Sequence, residues 1–233
     1  AIGNHNMFKN ILWLQASLGH CSTRHGRLDM PYTQEHKERT RHKIVAAARL
    51  LFNQHGFLDV SIDDVMAEAG LTRGGFYNHF RNKEDLLLAS VETYEQCNPT
   101  DAWEGVELDY DAEANRLARQ MINAYLSNEH LADVAGHCPL VALPSDVARA
   151  GPAVREVYGR LLNRMTGVFA DADNVDKDKA LALTAMCVGA MLIGRTIPDQ
   201  RFGRRMLRAA RTTGAQLLGD SPSGTKPAIR VPD

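Results

Sequence analysis

The chain contains 233 residues, of which 44% are hydrophobic and 24% are charged, a composition typical of a folded globular protein. Its 27 lysines and arginines nearly balance its 28 aspartates and glutamates, so the formal net charge is only -1. This balance excludes a chain that is basic over its whole surface, and any nucleic-acid-binding surface must be a local patch. Four cysteines without a CxxC pair do not indicate a disulfide framework or a zinc motif, and we expect a cytoplasmic protein.

The first 29 residues differ from the rest because they show no sustained hydrophobic period. We interpret 1–29 as a disordered extension, with Met30 as the start of the functional protein; a basic arm is the alternative. The first predicted helix covers 34–55. Its apolar residues are spaced for one helix face: Ile44, Ala47, Ala48, Leu51 and Phe52. Gly56 is expected to end this helix in the left-handed conformation.

A short helix is predicted over 61–69. Ser61 is expected at its N-cap, and Asp64 follows at the third helical position in the pattern of a capping box. Gly70 is expected to end the helix.

A second short helix is predicted over 73–80, with Thr72 as its N-cap. Its two phenylalanines share one face and are expected in the core: Phe76 and Phe80. The other large side chains would be exposed: Arg73, Tyr77, Asn78 and His79. Gly74 and Gly75 destabilise a helix by about 1 kcal/mol each, but they leave no side chain in the way of a closely approaching partner. Asn82 is expected to cap a fourth helix.

The two short helices and the turn between them form a helix-turn-helix pattern inside a three-helix core. No acidic residue occurs from Gly70 to Lys83, while Arg73, Arg81 and Lys83 add positive charge. The helix N-termini at Ser61 and Thr72 present N–H groups that suit phosphates. We therefore predict that this segment binds DNA and that the second short helix enters the major groove.

The run SIDDVMAEAGLTRGGFYNHFRNKEDLL resembles the DNA-binding signature of the TetR family of bacterial transcriptional regulators, and TRHKIVAAARLLFNQHGF is similar to that family's first helix. The resemblance implies a helix-turn-helix domain over 30–81, a helical ligand-binding and dimerisation domain over 82–219, and a tail over 220–233 that we expect to be disordered. Matches to typical phosphate contacts are Thr40, Ser61, Tyr77 and Lys83. Matches to the base-reading segment are Thr72, Arg73, Gly74, Asn78 and His79, with Gly75 beside them.

The helix predicted over 176–194 is apolar on two faces and should be buried on two sides. With the helix over 199–218, it is expected to form a four-helix bundle with a second copy of the chain. The expected interface residues are Leu181, Ala185, Val188, Leu192, Phe202 and Met206, with Gly189 and Gly194 permitting close approach. In the last helix the expected inward residues are Phe202, Met206, Ala209, Ala210, Thr213 and Leu217. The apolar run over 180–194 is shorter than the roughly 18–20 residues of a membrane span, so no membrane partner is expected.

Amphipathic helices over 112–127 and 153–170, with the end of the fourth helix, are expected to enclose an apolar cavity for a small ligand. Its expected lining is Tyr94, Trp103, Met121, Tyr125, Cys138, Leu161 and Met165; the alternative is that these residues fill a solid core. The stretch 127–151 is punctuated by glycine and proline and is expected to be irregular. Because Cys138 follows His137, a reactive thiol that senses electrophiles or oxidants is an alternative mechanism.

No hydrolase, nucleotide-binding or metalloprotease motif occurs, so we expect no enzymatic activity, no cofactor and no metal. Five arginines share one face of the last helix and favour a solvated or salt-bridged surface, with an anionic partner as the alternative: Arg201, Arg204, Arg205, Arg208 and Arg211. The resemblance implies a homodimeric repressor that binds a palindromic DNA operator and is released by a small, mostly apolar effector. Activation, or architectural DNA binding with little sequence preference, is the alternative.

Overall fold

A computed structural model describes residues 34–95, 100, 105–136 and 138–219 of the chain. All regular secondary structure in these residues is helical, which confirms the all-α prediction. The α-helices in chain order are α1 Gln34–His55, α2 Ile62–Glu68, α3 Lys83–Glu92, α4 Ala114–Tyr125, α5 Asn128–Ala132, α6 Pro139–Ala142, α7 Pro144–Arg149, α8 Pro152–Ala170, α9 Lys177–Thr196 and α10 Gln200–Leu217. Two short 3₁₀ helices cover Arg73–Asn78 and Thr93–Glu95. The predictions for 1–29 and for the tail lie outside the described residues.

Two stretches differ from the sequence-based prediction. The segment expected as an α-helix over 73–80 is a 3₁₀ helix over Arg73–Asn78, because the Gly74-Gly75 pair weakens the α conformation at its start. The stretch expected to be irregular over 127–151 contains α5, α6 and α7. Pro139 and Pro144 each occupy the first turn of a helix. A backbone N–H in this turn has no partner within the helix, so proline, which has no N–H, is well tolerated there.

The described residues divide into two compact units, and the sequence-based domain boundaries stay a prediction. Unit 1 contains residues up to 106 and residues 129–163. In it, α1 packs against α2 and α3. Side chains from all parts of this three-helix arrangement are fully buried: Ile44, Ala48, Phe52, Val65, Phe76, Leu86 and Leu87. Glycines with positive φ terminate α1 and α2, namely Gly56 at 81° and Gly70 at 70°, as the sequence predicts.

Polar contacts also join the three-helix arrangement to the later residues of unit 1. Asn53 Nδ2 donates to the Ala135 carbonyl at 2.8 Å. Glu84 Oε1 accepts from the backbone N–H of Gly151 at 2.6 Å, just before α8 begins. Arg160 of α8 binds both carboxylate oxygens of Glu95, at 2.8 and 3.1 Å. The first half of α8 is therefore tied to the start of α3 and to the 3₁₀ helix that follows α3.

Unit 2 contains residues 107–128 and 164–219, with α9 packed lengthwise on α10 and both helices contacting α4. The helices α9 and α10 approach each other closely at two glycines, since a Cβ atom on Gly203 would lie 2.8 Å from the Gly194 carbonyl oxygen. Gly194, which we expected at a contact with a second copy, is thus used inside one chain. Its open side faces α10.

The inward face of α10 also differs from the prediction. The residues that face the core of unit 2 are Gly203, Leu207, Ala210 and Gly214. Of the residues expected inward, only Ala210 is buried, while Phe202, Ala209 and Thr213 are exposed. The hydrophobic pattern does not predict this face because glycines carry no hydrophobic signal, and two of the four buried residues of the helix are glycines.

Among the described helices, Lys177–Thr196 alone is long and apolar enough to cross a membrane by length and composition. One of its faces is fully buried within unit 2, at Ala180, Leu183, Cys187 and Met191. Burial of this face explains much of the apolar composition, because the core helix of a globular protein meets the same criterion.

Candidate nucleic-acid interface

Two side-chain caps fix the local geometry at the beginning of the helix-turn-helix and of the helix that follows it. Ser61 Oγ accepts from the Asp64 backbone N–H at 3.1 Å, and Asp64 Oδ2 accepts from the Ser61 N–H at 2.8 Å. Hydrogen bonds from the Ser61 side chain and backbone lower the pKa of Asp64. Asn82 Oδ1 accepts from the Asp85 N–H at 2.8 Å at the start of α3. Both predicted caps are confirmed.

We call Arg73–Asn78 the reading segment, because it is the second element of the helix-turn-helix. Phe76 at its centre is fully buried, and Phe80 just beyond it is 2% exposed, as predicted. Their burial turns the opposite face outward, where Tyr77 is 60% exposed and Asn78 is exposed. A Cβ atom on Gly74 would meet nothing within 4 Å. The glycine is therefore not required by packing within the chain, which agrees with a role in close approach by a partner.

Arg73 and Thr72 lie at the entrance of the reading segment. The Arg73 guanidinium forms an ion pair with the Asp63 carboxylate of α2, and both side chains are largely exposed. Thr72 has the extended backbone of an N-cap, but its hydroxyl makes no capping hydrogen bond. The predicted side-chain cap is therefore wrong, because a 3₁₀ turn does not place an N–H within reach of this hydroxyl.

Lys83 is half-buried at the start of α3. Its Nζ atom donates to the Leu58 carbonyl at 3.2 Å and lies 4.4 Å from the centre of the Phe57 ring. Burial lowers the pKa of this ammonium group, and the nearby carboxylates of Asp146, Asp59 and Asp64 oppose that effect. The ammonium group has three N–H donors, so one bond to Leu58 leaves donors for a phosphate.

The N-terminal half of α1 contacts the end of the reading segment. Arg41 donates from Nη1 to the His79 carbonyl at 2.7 Å, and its guanidinium carbon lies 4.2 Å from the centre of the Phe80 ring. Burial lowers the pKa of His79, and the positive charges of Lys37, Arg41 and His36 lower it further. The sequence analysis did not select Arg41. Its only signal was a positive charge on the first helix of a helix-turn-helix domain.

Thr40 differs from the other expected contacts because its side chain is buried. It is 8% exposed, and its hydroxyl donates to the His36 carbonyl at 2.9 Å, one helical turn earlier. The remaining expected contacts are exposed or half-buried, so they lie at or near the surface of unit 1: Ser61, Thr72, Arg73, Gly74, Gly75, Tyr77, Asn78, His79 and Lys83. The DNA-contact role of all ten residues stays a prediction.

Comparison with known proteins finds a family match for the helix-turn-helix segment. Residues 44–90, which contain the capped helices and the reading segment, match the family model described as bacterial regulatory proteins, tetR family. The fold resembles the crystal structure of a TetR transcriptional regulator from Chloroflexus aurantiacus, with a TM-score of 0.63 and 21% identity, over 80% of this chain and 97% of that one. Residues 44–90 therefore match the DNA-binding domain of the TetR family, and the fold resembles that of a TetR regulator.

Two further proteins show how much of each chain the similarity covers. The transposon Tn10 TetC protein of Escherichia coli is 33% identical over 100 residues, which are 36% of this chain and 51% of TetC. The chain thus spans about half the length of this curated relative and less of the next two. The crystal structure of the reduced form of E. coli NemR has a TM-score of 0.60 and 17% identity, over 76% of this chain and 96% of that one. Such low identity establishes the fold alone.

The residues expected to bind an effector fall in both units. Unit 1 contains Tyr94, Cys138 and Leu161, and unit 2 contains Met121, Tyr125 and Met165, while Trp103 lies outside the described residues. All of the described ones except the half-buried Cys138 are buried. Tyr94 has partners within unit 1, since its hydroxyl accepts from Asn53 at 3.0 Å and Arg49 lies over its ring. An effector site stays a prediction.

The residues expected at a dimer interface form an apolar surface on α9 and α10 of the single chain. Leu181 is 55% exposed, Leu192 37% and Phe202 45%, and Ile193 beside them is 43% exposed. Ala185 is exposed, and Val188 and Met206 are half-buried. Within the residues that the structure describes, no group of three or more His, Cys, Asp or Glu side chains is arranged to hold a metal ion.

Proposed function

We propose that this chain is a cytoplasmic transcriptional repressor of the TetR family without enzymatic activity, which binds a palindromic DNA operator as a homodimer. The observation that supports this most strongly is the reading segment, where buried Phe76 and Phe80 turn Tyr77 and Asn78 toward solvent. Open space beside Gly74 lets a DNA backbone approach closely. No acidic residue lies between Gly70 and Lys83, so phosphates meet no local repulsion within this segment.

Selection of genomic DNA fragments by the purified chain tests DNA recognition. We expect one enriched motif with two-fold symmetry, since a dimer presents two reading segments related by its axis. Fragments without a shared motif would contradict operator binding and would favour architectural DNA binding. The genes beside the enriched fragments would also indicate the chemical class of the effector.

Substitutions separate phosphate contacts from base contacts. Tyr77→Phe and Lys83→Ala should weaken binding to the selected operator and to its scrambled version alike, and Lys83→Ala should also reduce the salt dependence. Arg73→Ala and Asn78→Ala should instead lower the preference for the operator, by about 1–3 kcal/mol for a good bidentate contact. Affinities for both DNAs, compared at the same salt concentration and repeated over a series of salt concentrations, distinguish the two classes. Equal losses on both DNAs for Arg73→Ala would exclude Arg73 from base reading.

The apolar surface of α9 and α10 supports the proposed dimerisation. Four large apolar side chains on these two helices are each at least 37% exposed: Leu181, Leu192, Ile193 and Phe202. A second copy that covers them would bury both apolar faces of α9, which explains why this helix is apolar on two sides. The two copies would then form a four-helix bundle from α9 and α10.

The effector is a small, mostly apolar molecule in this proposal, and it releases the operator by favouring one arrangement of the reading segments over another. Tyr125 of α4 is buried and is the residue of choice for testing this, because an aromatic ring with a hydroxyl can both pack on a ligand and orient it. Tyr125→Ala should weaken the response to an inducing compound by about tenfold or more. A full response of this variant to every inducer found would remove Tyr125 from the site.

Thiol sensing through Cys138 is the second candidate. Cys138 is half-buried at the start of α6, close enough to Tyr158 to affect it electrostatically. Burial, and secondly Cys138, raise the pKa of Tyr158 to about 12. A structural relative, NemR, was crystallised in a form described as reduced. If oxidants or electrophiles release DNA from the wild type but not from Cys138→Ser, the thiol mechanism replaces the ligand mechanism.

A further inference from the structure

One ion pair on the candidate DNA-binding surface has no evident role in stability. It joins Asp63, in the first turn of α2, to Arg73, the first residue of the reading segment. The two side chains are 54% and 62% exposed, and exposed pairs of this kind contribute only about 0–1 kcal/mol. The neighbouring Asp64 completes the capping box, so Asp63 is not needed for that purpose.

The negative charge of Asp63 weakens the electrostatic attraction between this surface and DNA. A carboxylate on a surface that approaches phosphates repels them, and pairing it with Arg73 removes most of that arginine's net positive charge. In return, the carboxylate engages Nη1 of Arg73 and restricts the orientation of the planar guanidinium group. The opposite edge, with the Nε and Nη2 donors, remains available in a restricted orientation.

We propose that Asp63 is a specificity-determining positioning residue, which holds Arg73 so that its free edge binds a base rather than a phosphate. A guanidinium edge with two parallel donors matches the two acceptors of guanine in the major groove. An arginine that is already paired gains less from a phosphate, and one that is already oriented loses less entropy on binding a base. This inference rests on the proposed DNA-binding function.

Asp63→Asn tests the proposal, because it removes the charge with little change of shape. We expect it to increase affinity for scrambled DNA several-fold and to lower the operator-to-scrambled affinity ratio about tenfold. Glu68→Gln is the matched control, since Glu68 is an exposed acid on the same helix, without an ion pair among the described residues. The control should change both affinities alike and leave the ratio within about twofold.

A second pair of variants shows whether Asp63 acts through Arg73. In an Arg73→Ala background, Asp63→Asn should no longer change the affinity ratio, although it should still raise both affinities. Asp63→Glu, which keeps the charge, should retain more of the ratio than Asp63→Asn. If Asp63→Asn proves poorly folded in a thermal melt, Asp63→Ala, which also removes the carboxylate, provides the test in both backgrounds, and an unchanged ratio there would reject the proposal.

Two outcomes would overturn the inference, and they are distinguishable from failure of the proposed function. If wild type prefers its operator and Asp63→Asn keeps the same ratio, Asp63 does not determine specificity. If Asp63→Asn lowers the ratio equally in the Arg73→Ala background, it does not act through Arg73. If wild type itself shows no preference between operator and scrambled DNA, the proposed function fails together with this inference.

Discussion

One side chain of α1, that of Arg41, contacts the two residues that follow the reading segment. Arg41 both donates to the His79 carbonyl and covers the Phe80 ring, so one guanidinium group connects α1 to the backbone and to the core side of this segment. The positively charged side chains of Lys37 and Arg41 lie near His79. The Nδ1 atom of His79 is buried without a hydrogen-bond partner among the described residues. Protonation at this position is therefore unfavourable in the folded protein.

The charge state of His79 should make the fold sensitive to acid. Burial, with Lys37, Arg41 and His36, holds its pKa below the ordinary value of 6.5. Between these two pKa values the unfolded chain binds the proton and the folded chain does not. The stability associated with neutral His79 is therefore fully present above pH 6.5 and decreases as the pH falls toward the folded-state pKa.

Urea unfolding of His79→Gln tests this expectation. Between about pH 7.5 and pH 5.5, the variant should lose less stability than the wild type. His55→Gln replaces an exposed histidine in the last turn of α1 and should keep the wild-type dependence. An identical loss of stability in wild type and His79→Gln would contradict the role of His79.

At the scale of elements, glycines determine how closely the helices of unit 2 pack. A Cβ atom on Gly203 would lie 2.8 Å from a backbone oxygen of α9, which moves only if the two helices separate. A Cβ atom on Gly214 would lie 2.9 Å from Ile122 Cδ1 and 3.2 Å from Met186 Cε, both at the ends of flexible side chains. An added methyl group at Gly203 would therefore push against the backbone, whereas one at Gly214 would displace only side-chain ends.

We expect Gly203→Ala to destabilise the protein by about 1–3 kcal/mol, because it overpacks a backbone contact. Gly214→Ala should be close to neutral, since the side chains can move and alanine favours a helix by about 1 kcal/mol over glycine. Urea unfolding at a fixed protein concentration measures both variants. Equal destabilisation of Gly203→Ala and Gly214→Ala would show that the side chains of Ile122 and Met186 cannot move to make room for the added methyl group.

Sequence-based prediction succeeded for elements with local causes and failed where distant residues decide. The caps at Ser61 and Asn82 and the burial of Phe76 and Phe80 follow from spacing within a few residues, so the sequence predicted them. The inward face of α10 depends on which helix it packs against, and its glycine contact leaves no hydrophobic pattern. Likewise the Asp63–Arg73 pair joins two elements across a turn, and neither residue alone indicates the other.

In the whole molecule, recognition of a palindromic operator requires two copies of the chain. Leu181→Glu and Leu192→Glu each place a charge on the exposed apolar surface of α9 and should convert a dimer into a monomer in sedimentation experiments. Leu58→Glu makes the same chemical change at a leucine of unit 1 that is 65% exposed, and it should leave the dimer intact. A monomeric wild type at micromolar concentration, or dimeric variants, would exclude this interface.

Recognition of a particular DNA sequence by the reading segment underlies the proposed function. The most direct measurement is the affinity of the wild-type full chain for its selected operator and for a scrambled duplex of equal length and composition, at one physiological salt concentration. We expect at least about a thousandfold preference for the operator, as is typical of specific regulators. Equal affinities for the two duplexes would contradict sequence-specific recognition.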